Sequence, residues 1–441
     1  MTDPATIADQ VLSLVGGAAE ARVVVRRHAS GLTRFANSFI HQNVTDEATV
    51  VALDVAVEGR TAGASTNVTT PDSLAALVTR AIGAARLRPV DQKWPGLAPP
   101  EPIAPSEHYD GATAAATADD RAKVVASFVR AGEDLRAAGY CETSATESVL
   151  ANSAGQVLRG RASSAVLDAI HRSDGGDGVA VQASASIAGL HGEAMGEVAA
   201  SKARRSASPV ELPPGRYHVV LEPRCQADIL DALARYGFNS RLVEEGQSFA
   251  RVGEAQLDRS ISLWDDATDR RAVGLLFDQE GTPKRRVPLV DAGTVVGLAH
   301  DRRTAKAAGT SSTGHAVPGG ETMGAVPTNL FLASGQDRPE ELIARVERGL
   351  LVSDFWYTRV LDPKTLVMTG LTRNGLFLIE DGRVTRAVGN LRFTQSYVAA
   401  LAPGNVAGVG SDARLVSTVD CIHHAPTLSL RSWSFTGNAR G

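Results

Sequence analysis

Cysteine is nearly absent from this sequence. Three thiols, Cys141, Cys225 and Cys421, are scattered over 441 residues. So odd and sparse a set excludes a disulfide framework and points to a reducing compartment, the cytoplasm. Aromatic residues make up only 5% of the chain, so the core must be assembled from small aliphatic and β-branched side chains. No apolar run approaches the roughly 18 residues that span a bilayer. No cluster of Lys and Arg stands out and the net charge is −4, which argues against a nucleic-acid partner. The opening "MTDPATIADQVLSLVGG" lacks a basic n-region and reads as a capped helix rather than a signal peptide.

What is present is an ordinary globular balance, 43% apolar and 21% charged, in a chain long enough for two or three domains. Apolar spacing predicts a helix over 5–20. Strand-like runs follow in "ARVVVRRHASGLTRFANSFIHQN", broken at Ser30-Gly31. Next, a strand with Val51, Leu53, Val55 and Val57 on one face turns at Glu58-Gly59 into a hairpin. "TPDSLAALVTRAIGAARLRP" predicts a helix with Asp72 as N-cap and Pro89 as its stop. Residues 89–117, rich in Pro and Ala, form an extended strap, and a helix is expected over about 119–138. Strands meeting at Asn152-Ser153-Ala154-Gly155 and a helix in "EAMGEVAASKARRSAS" complete an N-terminal domain of helices on an antiparallel sheet, residues 1–208. "PVELPPG" (Pro209 to Gly215) is the linker. Residues 216–441 read as a mostly-β domain, a curved sheet or barrel-like, with turns such as Glu380-Asp381-Gly382 and helices in "DRPEELIARVERG" and "FTQSYVAALA". The fold class is α+β.

Chemistry concentrates in two stretches. The first is "HVVLEPRCQADILDALARYG", His218 to Gly237. A helix starting near Arg224 puts Cys225, Ile229, Ala232, Leu233 and Tyr236 on one apolar stripe and Asp228, Asp231 and Arg235 on the other side. Asp231 and Arg235 form a favourable i,i+4 pair. A cysteine on an apolar stripe acts as a small hydrophobe, although a helix N-terminus acidifies an accessible thiol. This helix contains no His, so it cannot supply the imidazoles of a helical zinc site. The second stretch is "STVDCIHHAPTLSL", where Cys421 and His423 share a strand face and His424 points away. Two ligands are not a site, since structural zinc takes four and catalytic zinc three; His300 and His315 are the remote histidines available. "AGTSSTGHAVPGG" (Ala308 to Gly320) is a loop without the order of a phosphate cradle, and "HRSDGGDG" (His171 to Gly178) a turn without the late Glu of a calcium loop.

Several segments in sequence order resemble the TldD/PmbA (TldD/TldE) peptidase-complex family. They are "GLTRFANSFIHQN" (Gly31 to Asn43), "ANSAG" (Ala151 to Gly155), "STGHA" (Ser312 to Ala316), "PTNLFLASG" (Pro327 to Gly335), "GLLVSDFW" (Gly349 to Trp356), "GLFLIEDGRV" (Gly375 to Val384) and "APTLSLRSWSFTG" (Ala425 to Gly437). The likeness runs over nearly the whole chain. It implies two branches: one binds zinc through a His-Glu-x-x-x-His helix and a late cysteine, and the other, PmbA/TldE-like, lacks the helix ligands and pairs with the first. Laid on this chain, Asp231 stands where the first His would be, Ala232 where the Glu would be and Tyr236 where the second His would be. Cys421 lies near the late cysteine and is left there without companions. The stretch Thr369 to Gly375 departs from the family's usual pattern.

The resemblance thus implies a PmbA/TldE-like pseudoenzyme without catalytic residues or a cofactor of its own, Cys421 and His423 being the metal-ligand candidates that remain. It implies a heterodimer with a TldD-like, zinc-bearing catalytic subunit that carries the His-Glu-x-x-x-His helix. Together the two would enclose extended peptides, unfolded or modified. Two other readings stand beside it: a stand-alone metallo- or cysteine-dependent hydrolase using Cys421 and His423, and a non-enzymatic regulatory binding module.

Overall fold

The computed structural model describes residues 2–105, 107–418 and 421–439. Its first half runs α1 (Pro4–Val15), β1 (Glu20–Ala36), β2 (Phe39–Val57), β3 (Arg60–Thr66), α2 (Pro71–Leu87), the single turn α3 (Gly111–Ala114), α4 (Ala118–Ala131), β4 (Arg136–Asn152), β5 (Val157–Ser173), β6 (Gly176–Ser184) and α5 (Gly192–Arg205). The six strands make one antiparallel sheet in the order β3-β2-β1-β4-β5-β6. Alternation sorts its two faces. Val23 and Val25 of β1 pack with Ile7 and Val11 of α1 and Leu74 and Leu77 of α2. Phe35, on the same face of β1, packs with Phe128 of α4. Val24, on the opposite face, meets Leu150, Leu158 and the distant Phe277. The helices therefore cover one face and later parts of the chain meet the other.

Several local expectations give way here. The first helix stops at Val15, short of residue 20, where Gly16 adopts φ 52°. Strand β1 is continuous through Ser30-Gly31. Gly31 breaks nothing; it makes room for the buried guanidinium of Arg121, which an added Cβ would approach to 2.2 Å. The chain turns instead at Asn37 and Ser38, both at positive φ. Thr70, not Asp72, is the N-cap of α2, with Pro71 in the first helical position. The helix expected to reach residue 138 ends at Ala131, because Glu133 turns to φ 54° and β4 begins at Arg136.

The second half runs β7 (Gly215–Leu221), α6 (Pro223–Ala232), α7 (Ser240–Glu244), β8 (Leu263–Asp265), β9 (Val287–Asp291), β10 (Thr294–Val295), α8 (Arg302–Ala308), α9 (Gly320–Met323), β11 (Leu330–Leu332), α10 (Pro339–Ala344), β12 (Arg348–Asp362), β13 (Val367–Glu380), β14 (Arg383–Ala387), β15 (Leu391–Ser396), α11 (Tyr397–Ala400), β16 (Val406–Val409), β17 (Arg414–Ser417), β18 (Ile422–Ala425) and β19 (Leu428–Asn438). One sheet has the order β10-β9-β8-β11-β18-β17. The other runs β12-β7-β19-β15-β13-β14 with β16 on β19, and pairing of β12 with β13 bends it into a ring rather than a complete barrel. "DRPEELIARVERG" gives only six helical residues before β12, and "FTQSYVAALA" a single turn after strand β15. The aliphatic core expected from the composition surrounds one aromatic cluster, Phe355, Phe393, Tyr397 and Trp433.

Candidate functional site

Helix α6 is launched by β7, and Pro223 at its first position fixes φ where no N–H is needed. Its apolar stripe lies against β12: Cys225 is fully buried and donates to the Val352 carbonyl at 3.5 Å. Burial pushes that thiol well above its ordinary range, so Cys225 is a packing residue. After Ala232 the helix widens into a π-turn, Leu233–Gly237, closed by Phe238 N donating to Leu233 O at 2.9 Å. Residues five apart on an α-helix point about 140° away from each other, and an i→i+5 turn brings them closer to one face. The chain therefore has, just after Asp231, a turn that draws residues five apart toward one face.

Of the three positions singled out by sequence, only Asp231 enters the site. Ala232 is buried in the core, and Tyr236 is half-buried and packs against it. Cys421 does not stand without companions. The ligand atoms of Asp231, Cys421 and His423 lie within 4.8 Å of one another. Thr418 frames the cluster: its Oγ1 is 3.2 Å from Asp231 Oδ1 and accepts from Cys421 N at 3.2 Å. Arg235 holds the other side of Asp231, with Nε 2.8 Å from Oδ2. Burial alone would raise this carboxyl, but the facing His423, 3.8 Å away, and the Arg235 guanidinium outweigh it and hold it at about 2.

The hydrogen-bond direction at His423 decides what the cluster can bind. Its Nδ1 lies 3.3 Å from the Leu330 backbone N–H and must accept from it, so the ring proton sits on Nε2, the nitrogen that faces Asp231. A histidine ligating zinc does the reverse, donating from one nitrogen while the bare one meets the metal. The carboxylate is also already paired with a permanent cation. Zinc, which the resemblance implies for the catalytic branch and not for this one, does not fit this donor set: one nitrogen has the wrong tautomer, one carboxylate is taken by Arg235, and one cysteine is left.

A second acidic group, which the sequence placed beside Asp231 on the polar side of the helix but without its partners, lies one turn earlier. Asp228 accepts from Tyr397 Oη at 2.6 Å and Thr358 Oγ1 at 2.7 Å, yet burial still raises its carboxyl to about 6. Its position three residues before Asp231 was the available signal; nothing local marked Tyr397 or Thr358. Next to it, Arg224 bridges the two halves of the chain, from buried Asp354 at 2.6 Å to Asp168 of β5 at 2.9 Å. Asn374, in the stretch that departs from the family pattern, donates to Asp354 at 3.1 Å. The remote histidines stay apart from Cys421. His315 pairs with buried Asp265 at 3.0 Å and with Thr313 at 2.8 Å, and the His300 carbonyl accepts from Ser312 and Thr313. His424 stacks on Phe331, and burial together with Arg271 pushes it down to about 4.

A family profile described as "PmbA/TldA metallopeptidase C-terminal domain" matches residues 214–437, just over half of the chain. The chain belongs to the PmbA/TldD family. A "Metalloprotease" of Methanothermobacter thermautotrophicus is 25% identical over 229 residues, 51% of this chain and 49% of that protein. A "Metalloprotease TldD homolog" of Haemophilus influenzae is 27% identical over 188 residues, 41% of this chain and 38% of that protein. The matched stretches thus span half or less of these curated relatives. The crystal structure of TldE from Thermococcus kodakarensis shares the fold at TM-score 0.86 with 18% identity, covering 98% of this chain and 99% of that one.

Proposed function

We propose that this chain is the non-catalytic subunit of a two-chain metallopeptidase. Its partner would be a TldD-like family member that carries the zinc on a His-Glu-x-x-x-His helix. This chain would help wall the cavity and hold extended, unfolded or modified peptides, in the cytoplasm. The observation that carries the reading is the closed ion pair of Asp231 and Arg235 beside a His423 whose proton faces inward: the place where the family's metal would sit is already neutralised by protein groups. No described helix is long and apolar enough to cross a membrane, which is compatible with that setting.

The convergence of Asp231, Cys421 and His423 favours a second reading, a stand-alone hydrolase using Cys421 and His423. Metal analysis and peptidase assays separate the two. The chain alone, and the chain purified with a His-Glu-x-x-x-His family member, are assayed for zinc and for cleavage of an unfolded peptide. Under the first reading zinc and cleavage appear only in the mixture. Stoichiometric zinc in the chain alone, abolished by Cys421→Ala, would establish the second reading instead.

A further inference from the structure

A cavity of about 470 Å³ lies at the seam between the two halves of the chain and shares no lining residue with the Asp231 cluster. The Pro- and Ala-rich strap forms one wall, with Pro95, Ala98 and Pro99. The segment between β8 and β9 supplies Thr282 and Arg285, and α8 with the loop after it supplies Arg302, Lys306, Thr310 and Ser311. Small-molecule sites run from roughly 300 to 1,000 Å³, so the space suits a small ligand.

The lining is cationic. Arg302 and Lys306, four apart on α8, share one side of that helix. Arg302 Nη2 donates to the Leu97 carbonyl at 2.8 Å, and Lys306 Nζ to the Trp94 carbonyl at 2.6 Å. A carbonyl accepts a hydrogen bond but does not cancel a charge, and neither cation forms an ion pair among the described residues. The third cation, Arg285, lies 3.1 Å from Glu101, the one carboxylate on the lining. Two positive charges are left over. Two buried polar atoms lack partners in the same place. Thr282 is 6% exposed and its Oγ1 has no hydrogen-bond partner, and Arg302 Nε is also without one, although most buried polar atoms are paired. The acids bonded to these residues serve their main chain. Asp278 accepts from Thr282 N at 2.9 Å and Glu280 from Arg302 N at 2.7 Å, and neither lines the cavity.

We propose that this cavity binds one phosphate group, as the free ion or as the head of a small phosphate ester, between the Arg302 guanidinium, the Lys306 ammonium and the Thr282 hydroxyl. A phosphate dianion matches the two uncompensated charges, where a carboxylate would leave one. Its oxygens accept from Arg, Lys and hydroxyl donors together, and the exposed Thr310 and Ser311 offer two further hydroxyls. The prolines of the strap give the carbon skeleton of an ester an apolar surface. The loop beginning "AGTSSTG" thus faces phosphate without the order of a nucleotide cradle. This site does not rest on the metallopeptidase reading.

Isothermal titration of the purified chain at pH 8 and constant ionic strength tests it, with inorganic phosphate and glycerol phosphate as probes. The unmodified chain is expected to take up one equivalent. Lys306→Met is expected to weaken binding about tenfold, and Thr282→Val, which removes one hydroxyl at nearly constant shape, about fivefold. Lys93→Met, which removes a strap cation outside the cavity, is expected to change nothing. All three variants should keep the circular dichroism of the unmodified chain. Tighter binding of glycerol phosphate identifies an ester as the ligand, and equal or tighter binding of inorganic phosphate identifies the free ion. Uptake of neither probe, a Thr282→Val variant that binds as tightly as the unmodified chain, or equal losses in Lys93→Met and Lys306→Met would each overturn the proposal.

Discussion

Arg235 donates to Asp231 from one turn further along α6, Nε to Oδ2 at 2.8 Å, and the same carboxylate faces His423 at 3.8 Å. The folded protein thereby holds Asp231 at about 2, below its ordinary 3.8. A depressed carboxyl means that the unfolded chain takes up the proton first, so the stabilisation is present above about pH 4 and is lost as pH falls toward about 2. Asp231→Asn is therefore expected to cost about 2 kcal/mol at neutral pH and almost nothing at about pH 2. Urea unfolding of both proteins across that range checks it; a cost independent of pH would show that the pair contributes through shape and not charge.

The π-turn at Leu233–Gly237 makes the zinc reading testable in the opposite direction. If α6 keeps the backbone of a metal helix, Asp231→His, Ala232→Glu and Tyr236→His combined should give a chain that binds close to one equivalent of zinc together with Cys421. Reverting either imidazole should abolish it, since a catalytic zinc takes three protein ligands. Elemental analysis after dialysis reads the outcome. A folded triple variant that remains metal-free would mean that the turn is not a retained ligand scaffold.

Legibility in the sequence followed the range of the interaction. The stripe of α6 and the Asp231–Arg235 pair are one-turn relationships, and both are where periodicity placed them. The turns at Glu58-Gly59 and Asp381-Gly382 are local as well, each residue at positive φ. Alternation also put Cys421 and His423 on one side. It could not bring them to Asp231, because Thr418 and Asp231, which close the cluster, are 187 residues apart and meet only through the packing of β17 and β18 on α6. Gly31 looked like a breaker for the same reason: Arg121, the residue that explains it, is on a distant helix. "FTQSYVAALA" failed differently, since its first half is committed to pairing with β13 and β19 and tertiary pairing overrode the helical pattern.

Asp228 shifts the other way from Asp231. Burial raises its carboxyl from 3.8 to about 6 even though Tyr397 and Thr358 donate to it. Between about pH 4 and 6 the folded state holds the proton more tightly than the unfolded one, so this group's contribution is full below about pH 4 and is lost as pH rises through about 6. Asp228→Asn removes that loss. It is expected to stabilise the protein by on the order of 2 kcal/mol at pH 8 relative to its effect at pH 4, read as a difference in unfolding midpoint. Equal effects at the two pH values would mean that the folded carboxyl titrates normally.

Arg121 is 2% exposed and has its Nε 3.1 Å from Thr33 Oγ1 and its Nη1 within 3.1 Å of Thr143 Oγ1 and the Ala116 carbonyl. It lies flat on β1 where Gly31 offers no side chain, and a Cβ there would sit 2.2 Å from Nη1. The helix and the sheet hold the guanidinium between them, so it cannot withdraw without giving up those bonds. Gly31→Ala is expected to cost about 1–3 kcal/mol by overpacking. Arg121→Met removes the guanidinium and leaves two hydroxyls short of a partner, a cost of about 1–3 kcal/mol on its own. If the clash with Arg121 is what Gly31 avoids, the double variant must lose less than the sum of the two, by about 1 kcal/mol or more. Additive losses in a double-mutant cycle would place the need for glycine in the β1 backbone instead.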